Sequence, residues 1–457
     1  MPNIFLVNYK VQGIKNLDSM ISLSFYKKTI RKPIDTQDYN IKGIYGMNGS
    51  GKSAIIMSID ILRNLLIHED YLNNPIVQKS LNELINKQKN ELYIEAEILY
   101  YKSEYNAFIC NYIVELKKKN GKYEIDREKL SYKMTSSKKD EFNTLLEVKN
   151  GKITDINLDK ESEFKSFIVE KTMNLLSKST FLSLYLKNSS DSLNFEEDKA
   201  SVLFNMNLSS VIIFGARIHV FMESSDNHTD YFLKKNIGYS GEFDEIDLSY
   251  QLLKSSLQIN KKLLDIFSND ENFISKDDYE KFVNRVKRLE KFIQIFKPDL
   301  TKIDIEKKEN GDYYVCSLNM VYGTYSINTE FESTGIKKLI QLFAYLQAMV
   351  QGGIVFIDEF DSNLHDVYLC ALIEYLMEYG KGQLCFTTHN VGPMDILKSH
   401  KKSIDFLSLD HKIYSWKKNG NYSPSKLYRN GMIIGSPFNV DSIDFIGIFD
   451  ESKEEEE

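Results

Sequence analysis

The distribution of apolar residues along the chain predicts an α/β protein. Near the start, the segments IFLVNYKV and MISLSFY combine β-branched and aromatic residues in the way that strands do. Behind a glycine-rich stretch, apolar residues recur at helical spacing, and from about residue 90 to 160 they alternate again, which predicts an antiparallel β subdomain. Asn-Gly pairs, which favour two-residue hairpin turns, stand at 120–121, 150–151, 310–311 and 419–420.

A longer periodic segment predicts an amphipathic helix over residues 275–297. Its apolar residues fall on one stripe, Ser275 can cap its start, and Pro298 stops it. No heptad pattern of coiled-coil length is present, so a long coiled-coil arm is not expected. We expect the helix to pack within a helical insertion between two parts of the sheet.

Composition and charge narrow the class of protein. The 457 residues are 42% hydrophobic and 12% aromatic, which is enough for a packed core. No apolar run approaches the roughly 18 residues that span a bilayer, and the start lacks the features of a secretory signal. Four scattered cysteines suit reduced thiols, so we expect a soluble cytoplasmic protein. The net charge of −7 argues against a general DNA-coating protein, and the acidic tail is expected to be solvated.

The stretch GIYGMNGSGKS at residues 43–53 contains the pattern G-x-x-x-x-G-K-[ST] in full. A predicted strand precedes it and a predicted helix follows it, as a phosphate-binding loop (P-loop) requires. Glycines let backbone N–H groups curl around a β-phosphate, and the helix start adds its positive end. Lys52 would neutralise the β- and γ-phosphates, and Ser53 would hold Mg²⁺. The predicted nucleotide-binding residues of the loop are Gly46, Asn48, Gly49, Ser50, Gly51, Lys52, Ser53 and Ala54.

A second candidate lies far downstream, in GGIVFIDEFDSNLHD at residues 352–366. Residues 354–357 form a short apolar run of the kind that is buried in a parallel sheet. The run ends in Asp358 and Glu359, at the strand end where such sheets place their ligands. Asp358 can bind Mg²⁺, and Glu359 can polarise the attacking water as a general base. This signal is weak alone and strong when it is paired with the P-loop.

The position of two further segments relative to these motifs supports a functional role for them. FTTHN at residues 386–390 ends another apolar strand, and the spacing of His389 from the acid pair matches a γ-phosphate sensor. Ser333-Thr334-Gly335 opens a predicted helix whose small polar start is suited to a phosphate. A lone histidine or a lone Ser-Thr-Gly start is more often structural.

In this order the motifs resemble the ABC-type ATPase heads of the SMC, RecF and OLD group. The resemblance implies that Ser333 and Gly335 belong to the signature helix, residues 362–365 (SNLH) to the D-loop, and His389 to the switch. The segments ESTGIKKL, DEFDSNLH and GQLCFTTHN are similar to AAA-type ATPases of prokaryotic defence loci, namely the abortive-infection AbiLi/RloA-like group, with the PtuA and AriA ATPases as relatives. No Q-loop is evident, since Gln78 and Gln88 lie in a polar helical stretch.

The resemblance implies an ATPase that uses ATP and Mg²⁺ and forms at least a dimer around the nucleotide. It further implies a sensor and regulator of anti-phage abortive infection that controls a separately encoded nuclease or toxin, with DNA or a phage product as a possible trigger and no membrane partner. The predicted segments are an N-terminal ATPase lobe with the P-loop (1–90), a β subdomain (91–160), a helical insertion (161–300), a C-terminal ATPase lobe with the signature, acid pair and His389 (301–400), and C-terminal strands with an acidic tail (401–457).

Two alternatives stay open. A RecF-like DNA-repair ATPase would need a basic face, to which Arg217, Arg285 and Arg288 could contribute. A transporter ATP subunit is disfavoured by the missing Q-loop, the unusual signature and the large insertions. The seven histidines do not pair with carboxylates at a nuclease or metal spacing, so effector chemistry is not expected in this chain.

Overall fold

The strands form three sheets within the residues that the structure describes. The structure is a computed structural model, and it describes residues 3–27, 30, 34–103, 106–137, 141–158, 163–188, 199–223, 266–417 and 422–437. In chain order the strands are β1 (Asn3–Gln12), β2 (Ile21–Ser24), β3 (Ile41–Gly46), β4 (Glu91–Ser103), β5 (Asn106–Lys119), β6 (Lys122–Met134), β7 (Asn143–Lys149), β8 (Lys152–Ile156), β9 (Ile218–Phe221), β10 (Glu271–Ser275), β11 (Leu300–Asn310), β12 (Tyr313–Tyr322), β13 (Ser326–Asn328), β14 (Ile354–Ile357), β15 (Gln383–Thr387), β16 (Ile404–Leu407) and β17 (Ile413–Ser415). The α-helices are α1 (Lys52–Ile67), α2 (Pro75–Leu84), α3 (Glu163–Thr172), α4 (Phe181–Lys187), α5 (Lys199–Arg217), α6 (Tyr279–Phe296), α7 (Thr334–Val350), α8 (Asp366–Tyr379), α9 (Gly392–Leu397) and α10 (Pro424–Arg429).

A sheet of parallel strands with one antiparallel edge strand positions the predicted motifs. Its order is β17-β16-β3-β15-β14-β9, and only the β16–β17 pair is antiparallel. Strands β3, β14 and β15 are buried along their whole length, as the apolar runs predict for β14 and β15. Because β3, β15 and β14 are neighbours and parallel, the P-loop, the His389 segment and the acid pair follow adjacent strand ends on one edge.

The largest sheet is antiparallel, with the order β2-β1-β4-β5-β6-β7-β8. Helices α1, α4 and α5 share one hydrophobic core with it, because α1 contacts α4 and α5, and α5 contacts β1, β4 and β5. The long strands alternate between buried and more exposed positions, as β6 illustrates. This sheet therefore packs behind the P-loop helix and supports it.

The third sheet lies beside the start of α7. Strands β10, β12 and β11 are antiparallel neighbours, and β13 pairs with β12. One stripe of α6, consisting of Phe282, Val286, Leu289 and Ile293, packs with this sheet and with the first turns of α7. The predicted helix over 275–297 is shorter than expected, since α6 begins at Tyr279 and ends at Phe296. Ser275 caps the 3₁₀ turn Lys276–Asp278 that precedes α6, where its hydroxyl accepts a hydrogen bond from the Asp278 N–H at 3.3 Å.

The hairpin predictions are confirmed in two places and displaced in a third. At 120–121 and 150–151 both residues of each pair have positive φ, between 48° and 81°, which the predicted two-residue turns require. The third hairpin is formed, but its strands pair Asn310 with Tyr313, so the loop is 311–312, one residue later than predicted. The pair at 419–420 lies outside the described residues.

The predicted α/β class with an antiparallel β subdomain is confirmed. Strands β1 and β2 belong to the same sheet as β4–β8, so this sheet crosses the predicted limit at 90/91. The stretch predicted as a helical insertion also contains β9, which joins the parallel sheet, and β10. Sequence patterns show short strands poorly where their partners are distant in the chain. The domain limits stay a prediction.

One described helix is long and apolar enough to cross a membrane by length and composition. The window is Ala200–Arg217, with a mean hydropathy of 1.2, and 78% of it is buried inside the protein. Helix α5 packs against α1 and the antiparallel sheet, as a core helix does.

Candidate nucleotide site

The P-loop joins β3 to α1 in a tight turn. Gly49 and Gly51 have φ values of +78° and +106°, a region that side chains disfavour. A Cβ atom on Gly46 would lie 2.4 Å from the carbonyl oxygen of Leu407 in β16, so the neighbouring strand leaves no room there. The glycines of the motif thus serve the shape of the loop in two ways, by backbone conformation and by close approach.

Lys52 lies at the start of α1 and folds back over the loop. Its ammonium donates to the carbonyl oxygens of Gly46 at 2.9 Å and Met47 at 3.1 Å. Burial lowers the pKa of Lys52, and the carboxylates of the acid pair and of Asp361 oppose that shift. The P-loop lysine and the acid pair are therefore within electrostatic reach of each other, as the sequence predicts.

The remaining P-loop residues differ in exposure. Asn48 and Gly49 are exposed, Ser53 is half-buried, and Ala54 is buried in the core, so Ala54 could offer only its backbone to a ligand. The buried hydroxyl of Ser50 has no hydrogen-bond partner among the described residues. A buried polar atom without a partner is unusual, and it fits a loop whose donors serve a phosphate.

Asp358 and Glu359 follow β14 directly. Asp358 is buried, its N–H donates to the Phe221 carbonyl at 2.9 Å, and its Oδ1 accepts the Thr387 hydroxyl at 2.5 Å. Glu359 has φ of +47°, a left-handed backbone conformation, and its side chain is exposed. Partial burial raises the pKa of Glu359, and the carboxylates of Asp358 and Glu223 raise it further. A raised pKa suits a carboxylate that accepts a proton.

His389 follows β15 and is exposed. Partial burial and the nearby Lys52 charge lower its pKa, while Asp361 and Asp358 act in the opposite direction. The neutral imidazole is therefore favoured at neutral pH, and it can both donate and accept a hydrogen bond. Lys52, the acid pair and His389 thus lie together at the carboxyl ends of β3, β14 and β15, which form one edge of the sheet.

The predicted signature residues start α7. Ser333 is its N-cap, with the hydroxyl accepting from the Ile336 N–H at 3.4 Å, and its side chain is exposed. A Cβ atom on Gly335 would lie 2.6 Å from the Asn363 carbonyl oxygen. The start of α7 therefore packs directly on the predicted D-loop.

The D-loop residues have separate structural roles. Asn363 has φ of +59° and its Oδ1 accepts from the Thr334 hydroxyl at 3.3 Å, whereas Leu364 packs on two of the cores. His365 caps α8, since its Nδ1 accepts from the Val367 N–H at 3.4 Å. Ser362 donates to Glu223, which is part of a network with α7.

Sequence reasoning missed several residues of this edge. Asp361 accepts from the Asn390 N–H at 3.1 Å through Oδ2, and its buried Oδ1 has no partner among the described residues. Thr387 bonds to both members of the acid pair. Asn16, in the turn between β1 and β2, donates to the Gly49 carbonyl at 2.6 Å. Asp361 and Thr387 stand inside quoted motifs, but no sequence signal marks Asn16.

The structure does not identify Gln78 or Gln88 as a Q-loop residue. Gln78 is buried and its amide bonds to the Tyr123 N–H and carbonyl and to the Leu72 carbonyl, which ties α2 to β6. Gln88 is exposed in the turn before β4. Gln78 is therefore a structural residue.

The side chains and backbone amides at this edge are suited to bind Mg²⁺ and a nucleoside triphosphate. Among the described residues, no group of three His, Cys, Asp or Glu side chains could hold a metal ion. Mg²⁺ is commonly held by one or two protein oxygens together with phosphates and waters, for which Ser53 and Asp358 are suitable donors. The P-loop amides and Lys52 would bind the phosphates.

Comparison with known proteins gives one family match. Residues 213–395 match the family described as "AAA domain, putative AbiEii toxin, Type IV TA system". The match covers less than half of the chain, from α5 to α9, and includes the predicted signature, the acid pair and His389. It supports an ATPase of the AAA/ABC type.

The similar solved structures are distant. A structure of the recombination mediator protein RecF-ATPrS in the RecFOR pathway has 11% sequence identity and a TM-score of 0.35, with 91% of this chain and 99% of that chain covered. The structure of RecF-ATP has 12% identity and a TM-score of 0.32, with 91% and 100% covered. Similarity this low says nothing about a shared function. No curated protein sequence matches the chain.

Proposed function

We propose that this protein is an ATPase that binds ATP and Mg²⁺ at the edge formed by the P-loop, the acid pair and His389. The observation that carries the proposal is the convergence of Lys52, Asp358, Glu359 and His389 at adjacent parallel strand ends. Lys52 and the loop amides would bind the phosphates, and Ser53 and Asp358 would hold Mg²⁺. Glu359 would accept the proton of the attacking water, and His389 would contact the γ-phosphate.

The exposed start of α7 supports a shared site between two copies. Ser333 and Gly335 contact their own helix and Asn363. The first turn of an α-helix has N–H groups without intrahelical acceptors and a positive end, and both suit a phosphate. We propose that this start binds the nucleotide of a second copy, so that two heads close around ATP. Cycles of closing and opening would then report on nucleotide state.

We further propose that the protein is a cytoplasmic sensor and regulator of anti-phage abortive infection that acts through a separately encoded nuclease or toxin. The family match supports this context, because the description of that family names an AbiEii toxin and a toxin–antitoxin system. Three of the predicted motifs fall inside the matched residues. We assign no effector chemistry to this chain.

ATP hydrolysis and self-association by purified protein test the enzymatic part. We expect Lys52→Ala to lose ATP binding, and Glu359→Gln to bind ATP, lose hydrolysis and accumulate a dimer in light scattering with ATP. Glu374→Gln, an exposed change of the same type on α8, and Lys287→Ala on α6 are the controls, with wild-type behaviour expected. Hydrolysis by Glu359→Gln at the wild-type rate would contradict the assignment of the base.

Phage plating on a host that carries the native locus tests the biological part. Protection that is present in wild type and lost in Lys52→Ala and Glu359→Gln supports the defence role. If no strain protects across a broad phage panel while duplex DNA stimulates hydrolysis, the DNA-repair alternative replaces it.

A further inference from the structure

A buried lysine in α7 connects the predicted signature to the predicted general base. Lys338 is only 5% exposed, although lysine is rarely buried without partners. Its ammonium donates to the Glu359 carbonyl at 2.6 Å, to the Ser362 hydroxyl, and to Glu223 Oε1 at 3.4 Å. Three acceptors match the three N–H groups of an ammonium.

Two hydrogen bonds from different elements hold the backbone of Glu359. Its N–H donates to the Thr387 hydroxyl of β15 at 2.8 Å, and its carbonyl accepts from Lys338 of α7. The left-handed conformation of Glu359 costs free energy and persists only where the surroundings impose it. Lys338 supplies one of these two contacts, so the direction of the Glu359 side chain depends on the position of α7.

Glu223 completes the network from the end of β9. It accepts from the Ser362 hydroxyl at 2.5 Å as well as from Lys338. Its side chain is 40% exposed, so it can be rehydrated if Lys338 is removed. Ser362 is therefore held between an acceptor on Glu223 and a donor on Lys338.

The same helix carries the proposed contact to the second copy. Gly335 precedes Lys338 by three residues, which is about 4.5 Å along the helix axis. Near its start, α7 also contacts Asn363, through the Thr334 hydroxyl and through the close approach of Gly335. A small shift of the helix start would therefore move both the D-loop and the hydrogen bond to Glu359.

We propose that Lys338 is a positioning residue that couples the start of α7 to the backbone of Glu359, so that binding of a second copy's nucleotide at Ser333 and Gly335 sets the hydrolysis rate of the head that contains them. The inference rests on the proposed function, since it describes the regulation of the same site. It predicts that two sites in a closed dimer influence one another through Lys338 and Ser362.

The test is the ATPase kinetics of Lys338→Met, which keeps the length and apolar stem of the side chain and removes its donors. We expect kcat to fall by about tenfold or more, with KM for ATP within about threefold of wild type and a loss of cooperativity with ATP. Lys287→Met, on the exposed face of α6, is the matched control and should stay within about twofold of wild type.

A double-mutant cycle separates coupling from general damage. If Lys338 and Ser362 act as one unit, Lys338→Met combined with Ser362→Ala will have the kcat of Lys338→Met alone. Glu223→Gln, which keeps the shape of the carboxylate, should lower kcat by about threefold without changing KM. If Lys338→Met does not fold, this variant is the test of the coupling.

Each outcome has a separate meaning. Wild-type protein without ATPase activity would refute the proposed function itself. An active wild type with Lys338→Met within twofold of its kcat, or with Lys338 and Ser362 effects that multiply independently, would overturn the coupling while leaving the ATPase assignment intact.

Discussion

Thr387→Val tests whether one hydroxyl holds the acid pair in place. The Thr387 side chain is fully buried, donates to Asp358 at 2.5 Å and accepts the Glu359 N–H at 2.8 Å. Valine has nearly the same shape, so the change removes two hydrogen bonds without creating a large cavity. A bond to a charged group contributes about 1.5–3 kcal/mol and a neutral one about 1 kcal/mol, which gives a loss of about 2.5–4 kcal/mol. That is a large share of the roughly 5–15 kcal/mol that stabilises a typical domain.

Urea unfolding followed by circular dichroism measures this loss without relying on any function. Thr387→Ser retains the hydroxyl and removes only a methyl group, so it should cost about 1 kcal/mol and keep the ATPase rate near wild type. The valine variant should also lose at least tenfold in kcat, because Glu359 loses one of its two backbone contacts. If valine and serine variants are equally stable and equally active, the hydroxyl does not position the acid pair.

Two further predictions concern stability. Gly46→Ala would place a methyl group 2.4 Å from the Leu407 carbonyl, so we expect a loss of about 1–3 kcal/mol in urea unfolding and weaker ATP binding, with Gly323→Ala, which meets no atom within 4 Å, as an unaffected control. His219 in β9 is buried, and burial followed by the Arg63 charge lowers its pKa to about 3. The unfolded chain binds this proton near the ordinary pKa of about 6.5 and the folded chain does not, so stability falls as pH decreases below about 6.5. Over the 1.5 units to pH 5 this amounts to about 2 kcal/mol, which His219→Phe should remove from the pH profile of unfolding; an unchanged acid slope would refute the assignment to His219.

The elements with strong local signals could be predicted from the sequence. Periodicity and turn chemistry over a few residues determine the strand, loop and helix around Lys52, the helix α6 behind its Ser275-capped turn, and the two Asn-Gly hairpins. Short apolar runs predict the strands that end before the acid pair and before His389. The parallel pairing of β3, β15 and β14 then brings these strand ends together. The joint sheet of β1, β2 and β4–β8 is not predicted, because β1 pairs with β4 across a long stretch of chain, as Asn3 does with Tyr101.

The supporting contacts of the site could not be predicted for a related reason. Thr387, Lys338 and Glu223 are ordinary residue types, and each acquires its role only from the approach of a distant element to Glu359 or Ser362. Asn16 reaches the P-loop from a turn more than 30 residues earlier. Single-sequence patterns report local conformation and burial, but not which polar atoms of different elements meet.

Several departures from ordinary local structure occur at this edge of the sheet. Glu359 and Asn363 adopt left-handed conformations without being glycine, and the buried oxygens Ser50 Oγ and Asp361 Oδ1 lack partners among the described residues. Such departures cost free energy and persist where the surrounding structure imposes them, which is common at functional sites. Here the surrounding contacts are identified: β15 and α7 hold the Glu359 backbone, and α7 packs on Asn363. The left-handed conformation of Glu359 and the two unpartnered oxygens therefore agree with a ligand site at this edge, and they are observed in the geometry without reference to any family resemblance.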